Sequence, residues 1–205
     1  MSTARDLLTI ALDAAPDGSV RQGELSLALA GAELVDLLAE GAVTLDRDVI
    51  VPADAIGLDD ALLAQGAASL VREAPYEYVD DWLWRRGRDL AGAYVAAFTM
   101  EGRLIQERRR WAPLTTGRVV VSDSPDHRRA QERLDAGEPV LVDLATAAGI
   151  EAGPTVGTAP EEPGRTDGPE RTVLAAVEDA VTELAAVRQR RTIEQAAFDN
   201  VWRAP

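Results

Sequence analysis

Apolar residues recur at three- and four-residue spacing through most of the chain, which is the period of an amphipathic helix. This period predicts a first helix over Thr3–Ala14 and a second, stronger one from Glu24 to Glu40. The residues expected on the buried faces are Leu7, Leu8, Ile10 and Ala11 in the first helix, and Leu27, Ala30, Leu34, Leu37 and Leu38 in the second. Further helices are predicted from Leu58 to Arg72, in one or two segments between Tyr76 and Met100, over RRAQERLDAG, and from Glu170 to Asp199.

The hydrophobic period changes after Gly41, which is well placed as the positive-φ residue that ends the second helix. The segment VTLDRDVIVP that follows is typical of two short strands joined by a turn at Asp46-Arg47-Asp48. The same order of helix, Glu-Gly, strand, turn and strand returns in YVAAFTMEGRLIQERRRWAPLTTGRVVVSD, with a longer connection between the strands. The sequence therefore predicts two β-hairpins, each preceded by a helix.

The fold class predicted from these elements is mainly α. We expect a compact helical domain with short β-hairpins over residues 1–148, a flexible linker rich in Gly, Pro and acids over 149–169, and a C-terminal amphipathic helix over 170–205. The last helix carries Val173, Leu174, Val177, Val181, Leu184 and Val187 at heptad-like spacing. Such a face predicts either docking onto the main domain or pairing of subunits into a homo-oligomer.

Composition narrows the possible chemistry. The chain has no cysteine, which excludes disulfides, thiolate metal sites and cysteine nucleophiles, and all of its basic residues apart from one histidine are arginine. No apolar run reaches the roughly 18 residues that a membrane-spanning helix needs. The start of the chain has no basic leader or cleavage site typical of a signal peptide, so we expect a cytoplasmic protein.

The charge is strongly acidic on average but unevenly distributed. The net charge of −14 argues against a nucleic-acid partner, yet residues 82–118 contain eight arginines and three acids. Arginines beside tryptophans, as in DDWLWRRGR, are typical of a surface that meets anionic lipid. The alternative is that Trp82 belongs to the core and that the arginines pair with acids elsewhere in the chain.

No arrangement of residues predicts catalysis. The single histidine, His127, has no evident nucleophile and no second metal ligand near it, which favours a surface or helix-capping role. Neither a G-x-S-x-G turn nor a phosphate-binding glycine loop is present. The adjacent acids Asp59-Asp60 and Asp80-Asp81 are typical of helix N-termini. We therefore expect no enzyme activity, no cofactor and no metal.

Several segments in order resemble the Golgi phosphoprotein 3 family. These are LLTIALDAAPDGSV, ELSLALAGAELVDLLAEGAVTLDRDVIVPAD, LDDALLAQGAASL, the tryptophan in DDWLWRR, and AYVAAFTMEGRLIQE. The resemblance covers about residues 6–123 and suggests a bacterial-type member. It implies a mostly helical domain with short hairpins. It also implies a non-catalytic role, because eukaryotic members bind phosphatidylinositol 4-phosphate at Golgi membranes and sort membrane-bound glycosyltransferases.

The resemblance can be carried to the head-group pocket one position at a time. The pocket tryptophan of the family corresponds to Arg21, and the arginine within the following helix corresponds to Ala30. The two arginines of the later helix correspond to Arg88 and Ala91, so only Arg88 matches. The resemblance therefore implies a lipid- or phosphate-binding role for Arg88, with Arg21 and Arg86 as substitutes for the missing residues.

The hairpin tip that touches the bilayer in the family corresponds here to the basic segment with Arg108, Arg109, Arg110 and Trp111, which are the expected membrane-contacting residues. The leading hypothesis is a peripheral membrane adaptor that binds anionic lipid, with membrane-protein tails as further partners. One alternative is a winged-helix DNA-binding regulator, since a helix followed by a two-stranded wing occurs twice. Another is a structural module that only binds proteins.

Overall fold

Eight helices and two β-hairpins make up the described part of the chain, residues 2–15, 20–53, 57–107, 118–150 and 168–202 of a computed structural model. In chain order the elements are α1 (Thr3–Ala14), α2 (Gln22–Ala39), β1 (Val43–Asp46), β2 (Val49–Pro52), α3 (Ala61–Ala68), α4 (Val79–Arg86), α5 (Leu90–Met100), β3 (Leu104–Glu107), β4 (Arg118–Val121), α6 (Pro125–Asp135), α7 (Pro139–Ala147) and α8 (Pro169–Trp202). This order confirms the predicted fold class, mainly α with short hairpins.

Helix α2 is the centre of the fold. It contacts α1, α3, α4, α5, α7 and α8, and every residue from Glu24 to Leu37 is buried. The sequence predicted a single apolar stripe on this helix, and the buried surface is much wider than that stripe. Small residues make this possible, because Ala28, Ala30, Gly31 and Ala32 let neighbouring helices approach the α2 backbone from several sides.

The two predicted hairpins are confirmed, and the helix before each one ends in the same way. Gly41 and Gly102 have φ angles of 67° and 68°, a conformation that favours glycine. After α2, the Ala42 N–H donates to the Leu37 carbonyl at 2.9 Å, and after α5 the Arg103 N–H donates to the Phe98 carbonyl at 2.9 Å. This pattern satisfies the last carbonyls of each helix and turns the chain into an antiparallel strand pair, β1–β2 or β3–β4.

The third helix is shorter than the sequence predicted, with α3 covering Ala61–Ala68 instead of Leu58–Arg72. It begins late because the Asp60 carboxylate accepts hydrogen bonds from the N–H groups of Leu62 and Leu63 at 2.9 and 3.0 Å. This N-cap role confirms the interpretation of Asp60 as a helix-terminal charge. The helix ends where the Ser69 hydroxyl donates to the Gly66 carbonyl at 2.8 Å.

Helix α8 packs against α2, α4 and α7 through its first half, where Val173, Leu174, Val177 and Ala180 join the common core. Residues 189–195 of the same helix are exposed, including Ile193 at 60%. A role of this exposed end in subunit pairing stays a prediction. Most of the predicted linker, residues 151–167, lies outside the described residues.

Candidate anion-binding site at the start of α2

Helix α4 carries two tryptophans followed by two arginines, and the structure places one residue of each kind inside the fold. Trp82 is fully buried, and its Nε1 donates to the Ala30 carbonyl at 3.1 Å. Arg85 lies over the Trp82 ring at 5.2 Å and pairs with Glu77 at 2.6 Å. Trp82 and Arg85 thus follow the alternative interpretation of the basic region, in which the tryptophan is core and the arginine is paired with an acid.

Arg86, one of the three arginines predicted to bind phosphate, is held inside the fold. Its Nε and Nη2 donate to the two carboxylate oxygens of Glu33 at 2.7 and 2.8 Å, and Nη2 also donates to the Leu62 carbonyl at 3.0 Å. The Tyr94 hydroxyl donates to the same carboxylate at 3.1 Å. Burial raises the pKa of Glu33 because desolvation outweighs these hydrogen bonds. The Arg86 guanidinium therefore serves to join α2, α3, α4 and α5.

The other two predicted arginines, Arg21 and Arg88, are exposed, and each directly precedes a residue of the hydrogen-bonded pair Gln22–Asp89. Gln22 is the first residue of α2, and its Nε2 donates to Asp89 Oδ1 at 2.8 Å. Arg21 precedes Gln22, and Arg88 precedes Asp89, so this bond brings the two arginines to the same end of α2. The Arg21 side chain is 70% exposed. Among the described residues, Arg88 has no ion-pair partner.

The backbone at this end of α2 adds to the attraction for an anion. Arg21 is the N-cap residue and makes no side-chain hydrogen bond to the first turn. The first N–H groups of a helix have no partner within it, and the helix dipole places partial positive charge there. Helix α2 has 18 residues, so the dipole is fully developed. Two exposed guanidinium groups beside an uncapped helix N-terminus can bind a phosphate.

A third arginine reaches this end of α2 from the C-terminal helix. Arg188 Nη1 donates to Glu24 Oε1, and Arg21 Nη1 lies 3.6 Å from the same oxygen. Burial by itself raises the pKa of Glu24, but the hydrogen bond from Arg188 and the charges of both arginines together lower it. Arg188 follows Glu24 by 164 residues, so no local residue pattern predicts that these two side chains pair.

The remaining head-group positions implied by the resemblance are in the core. Ala30 is 0% exposed and Ala91 is 3% exposed. The Ala91 N–H donates to the Ser26 hydroxyl at 3.1 Å, which fixes the start of α5 against α2. No ligand can contact these two positions without opening the helix packing. The α2 N-terminal site, which we define as Arg21, Gln22, Arg88 and Arg188, is therefore shallower than a pocket that reaches Ala30.

Other residues named in the sequence analysis lie elsewhere. Arg108, Arg109, Arg110 and Trp111, the predicted membrane-contacting residues, are outside the described residues. His127 lies in the first turn of α6, and its Nε2 faces the Asp13 carboxylate of α1. Among the residues that the structure describes, no group of three or more His, Asp or Glu side chains could hold a metal ion.

Comparison with known proteins gives one family. The model of Golgi phosphoprotein 3 (GPP34) matches residues 4–196, which includes most of α8. The match extends well beyond the residues 6–123 that carried the resemblance in the sequence. No curated protein matches the chain. No helix within the described ranges combines the length and apolar character needed to cross a membrane.

Proposed function

Because the chain belongs to the Golgi phosphoprotein 3 family, we propose that it is a non-enzymatic adaptor that binds peripherally to membranes through anionic lipid. The α2 N-terminal site takes the phosphate of the lipid head group. In this role Arg21 and Arg88 contact phosphate oxygens, and the uncapped N–H groups of α2 add partial positive charge. Membrane-protein tails are the further partners that this family suggests for an adaptor.

The observation that supports this proposal most is a difference in exposure among the three arginines that the sequence predicted to bind phosphate. Arg86 is 15% exposed and donates to the buried Glu33, whereas Arg21 is 70% exposed and Arg88 is also exposed. Exposed arginines in an acidic chain are expected to attract anions, because the local charge of this site opposes the overall charge of −14. A phosphate group is the anion that a guanidinium binds with the best geometry.

A DNA-reading role would require α2 to enter a groove. Residues 24–37 of α2 are buried against six other helices, so this helix cannot contact a duplex in the described fold. The geometry favours a lipid surface over a nucleic acid for the same reason. Only the two ends of α2 are accessible, and a helix end suits a single phosphate better than a phosphate backbone.

Vesicle flotation tests the proposed function. The full chain is mixed with three kinds of phosphatidylcholine vesicle. One contains no anionic lipid, one contains phosphatidylglycerol, and one contains phosphatidylinositol 4-phosphate. We expect association only with anionic vesicles, decreasing as salt is raised. The double variant R21Q/R88Q should bind about thirtyfold more weakly, since each arginine near an anionic surface contributes about 1 kcal/mol.

The matched control is R128Q, because Arg128 is an exposed arginine of α6 paired only with the exposed Asp123 at 2.7 Å. This variant removes one positive charge away from α2, where the double variant removes two at the site, and should bind nearly as well as the wild type. Wild-type protein that stays unbound to anionic vesicles at low salt would remove the proposal. If inorganic phosphate at matched ionic strength releases the protein from the vesicles, the site recognises the phosphate group itself and not the rest of the lipid head group.

A further inference from the structure

The carboxylate of Glu24 lies between two arginines with different roles. Its Oε1 accepts from Arg188 of α8 and lies 3.6 Å from Arg21 Nη1. The Glu24 side chain is only 6% exposed, and its second oxygen, Oε2, is buried without a hydrogen-bond partner. A buried carboxylate needs a cationic partner. The shorter contact shows that Arg188 is the main partner and Arg21 the weaker one.

Glycine at position 23 makes the approach of Arg188 possible. A Cβ atom at this position would lie 2.5 Å from Arg188 Nη2 and 2.9 Å from Leu184 Cδ2. Both distances are too short for a Cβ atom, so a side chain here would push the ends of the Arg188 and Leu184 side chains away from the first turn of α2. Glycine also lowers the helix propensity of α2 by about 1 kcal/mol relative to alanine. The close packing of α8 offsets that cost.

We infer that Arg188 is a positioning residue of the α2 N-terminal site: it neutralises Glu24 and thereby leaves Arg21 free to bind the lipid phosphate. This inference rests on the proposed function. Without Arg188, the nearest cation to the buried Glu24 carboxylate would be Arg21. Coulomb attraction would draw Arg21 onto Glu24, because a half-desolvated pair at about 4 Å interacts more strongly than an exposed arginine does with solvent. Arg21 would then no longer face a membrane.

The same arrangement makes the site dependent on the C-terminal helix. Arg188 lies two turns beyond Ala180, the last buried residue within residues 169–195 of α8, and its side chain is 40% exposed. Its unbonded N–H groups therefore add a third positive charge next to Arg21. The charges at this end of α2 are three arginines (Arg21, Arg88 and Arg188) against two acids (Glu24 and Asp89). Removal of Arg188 would leave two of each and no excess positive charge.

Flotation with phosphatidylcholine vesicles containing phosphatidylinositol 4-phosphate tests the inference in the full-length protein. We expect R188Q to bind up to about thirtyfold more weakly than wild type, since it loses the contributions of two arginines, its own surface charge and the available Arg21. R188K keeps a cation and should bind nearly as well as wild type. The control R190Q removes an exposed arginine from the same helix and should lose much less affinity.

The double variants E24Q/R188Q and D89N/R188Q together separate positioning from simple loss of charge. Both restore the net charge at this end of α2, but only E24Q removes the buried carboxylate that attracts Arg21, while the asparagine in D89N can still accept from Gln22. Binding by E24Q/R188Q should therefore recover most of the loss seen in R188Q, and D89N/R188Q should recover clearly less. Recovery also shows that R188Q is not merely unfolded, and thermal unfolding of each variant checks this directly.

Two results would overturn the inference while leaving the proposed function intact. One is R188Q binding as tightly as wild type, in a protein whose binding is weakened about thirtyfold by R21Q/R88Q. The other is a double variant E24Q/R188Q that binds no better than R188Q. A wild-type protein that binds none of the anionic vesicles removes both the proposed function and the role of Arg188 in it.

Discussion

The Asp36 carboxylate, near the C-terminal end of α2, accepts a hydrogen bond of 2.9 Å from the backbone N–H of Thr3, the first residue of α1. The Ala4 N–H and the Ser2 hydroxyl donate to the same carboxylate at 3.2 and 3.1 Å. Ser2 is the N-cap residue of α1 and accepts from the Arg5 N–H. The central helix therefore supplies a second cap for α1 and fixes where that helix begins.

Replacing Asp36 should destabilise the fold strongly. In D36A, two buried N–H groups and one hydroxyl lose their acceptor, and we expect the free energy of unfolding to fall by about 2–4 kcal/mol. D36N keeps one carbonyl oxygen and should lose less than D36A. Urea denaturation followed by circular dichroism measures both. D135A, at an exposed aspartate near the end of α6, should change stability by less than about 0.5 kcal/mol. A loss in D36A no larger than in D135A would contradict the capping role.

The spacing between α2 and α8 is set by Gly31. A Cβ at this position would lie 2.4 Å from Val177 Cγ2, so G31A must push α8 outward and should cost about 1–3 kcal/mol. V177A removes the clashing methyl groups. The double variant G31A/V177A should therefore lose less stability than the sum of the two single losses. G57A is the control, because nothing lies within 4 Å of a Cβ at Gly57. Additive losses in a double-mutant cycle would show that the two residues do not compete for space.

Arg86 and Glu33 form a buried ion pair, and removing Arg86 alone should destabilise the fold more than removing both residues. R86A leaves the carboxylate of Glu33, which is 0% exposed, with only the Tyr94 hydroxyl as a side-chain donor, and should cost about 3–5 kcal/mol. The double variant E33A/R86A removes both charges and should be more stable than R86A. Chemical denaturation of the four proteins gives the coupling energy. If R86A alone is harmless, Arg86 is not engaged inside the fold and is free to bind phosphate as the sequence suggested.

The outcome for Arg86 shows what hydrophobic patterning can and cannot predict. Helix period and glycine placement predicted α1, the end of α2 at Gly41 and both hairpins, because these depend on neighbours in sequence. The number of sides on which α2 is buried depends on which helices surround it, and a single apolar stripe cannot reveal that. Glu24, Glu33 and Asp36 look like a solvated acidic face in sequence, yet each is buried with a partner from another helix.

The candidate site was predictable only in part for the same reason. The family resemblance pointed to Arg21 and Arg88 through their order in the chain. It also pointed to Arg86, whose side chain turns inward and pairs with the buried Glu33 carboxylate of α2. Arg188 could not have been found, since an arginine on an amphipathic helix is usually solvated. Gly23 was the available signal, because a glycine in the first turn of a strong helix indicates close approach by another element.

The ion pairs of Arg5 should give the protein a defined sensitivity to acid. Arg5 Nη1 and Nη2 donate to the Glu101 carboxylate at 2.7 and 2.9 Å, and its Nε donates to Asp60. The hydrogen bond from Arg5 lowers the pKa of Glu101. Burial alone raises the pKa of Asp60, but its N-cap hydrogen bonds and Arg5 together lower it. Both acids are thus more easily ionised in the folded state than in the unfolded chain.

The direction of the pH effect follows from these lowered pKa values. A carboxylate with a depressed pKa stabilises the fold at any pH above its unfolded value of about 4, and this contribution is lost as pH falls through the folded value. R5Q lacks the hydrogen bonds by which Arg5 stabilises the two carboxylates. Its free energy of unfolding at neutral pH should be lower than that of wild type by about 2 kcal/mol. As both acids become protonated below about pH 4, that difference should shrink.

Urea denaturation of wild type and R5Q over a range of pH measures this difference. R128Q serves as the control, because Arg128 and Asp123 are 59% and 78% exposed and such surface pairs contribute little at any pH. Its stability should follow that of wild type throughout. A difference between wild type and R5Q that stays constant into acid would mean that Arg5 stabilises the fold through its contact with the Phe98 ring at 5.6 Å, which does not depend on the protonation of either acid.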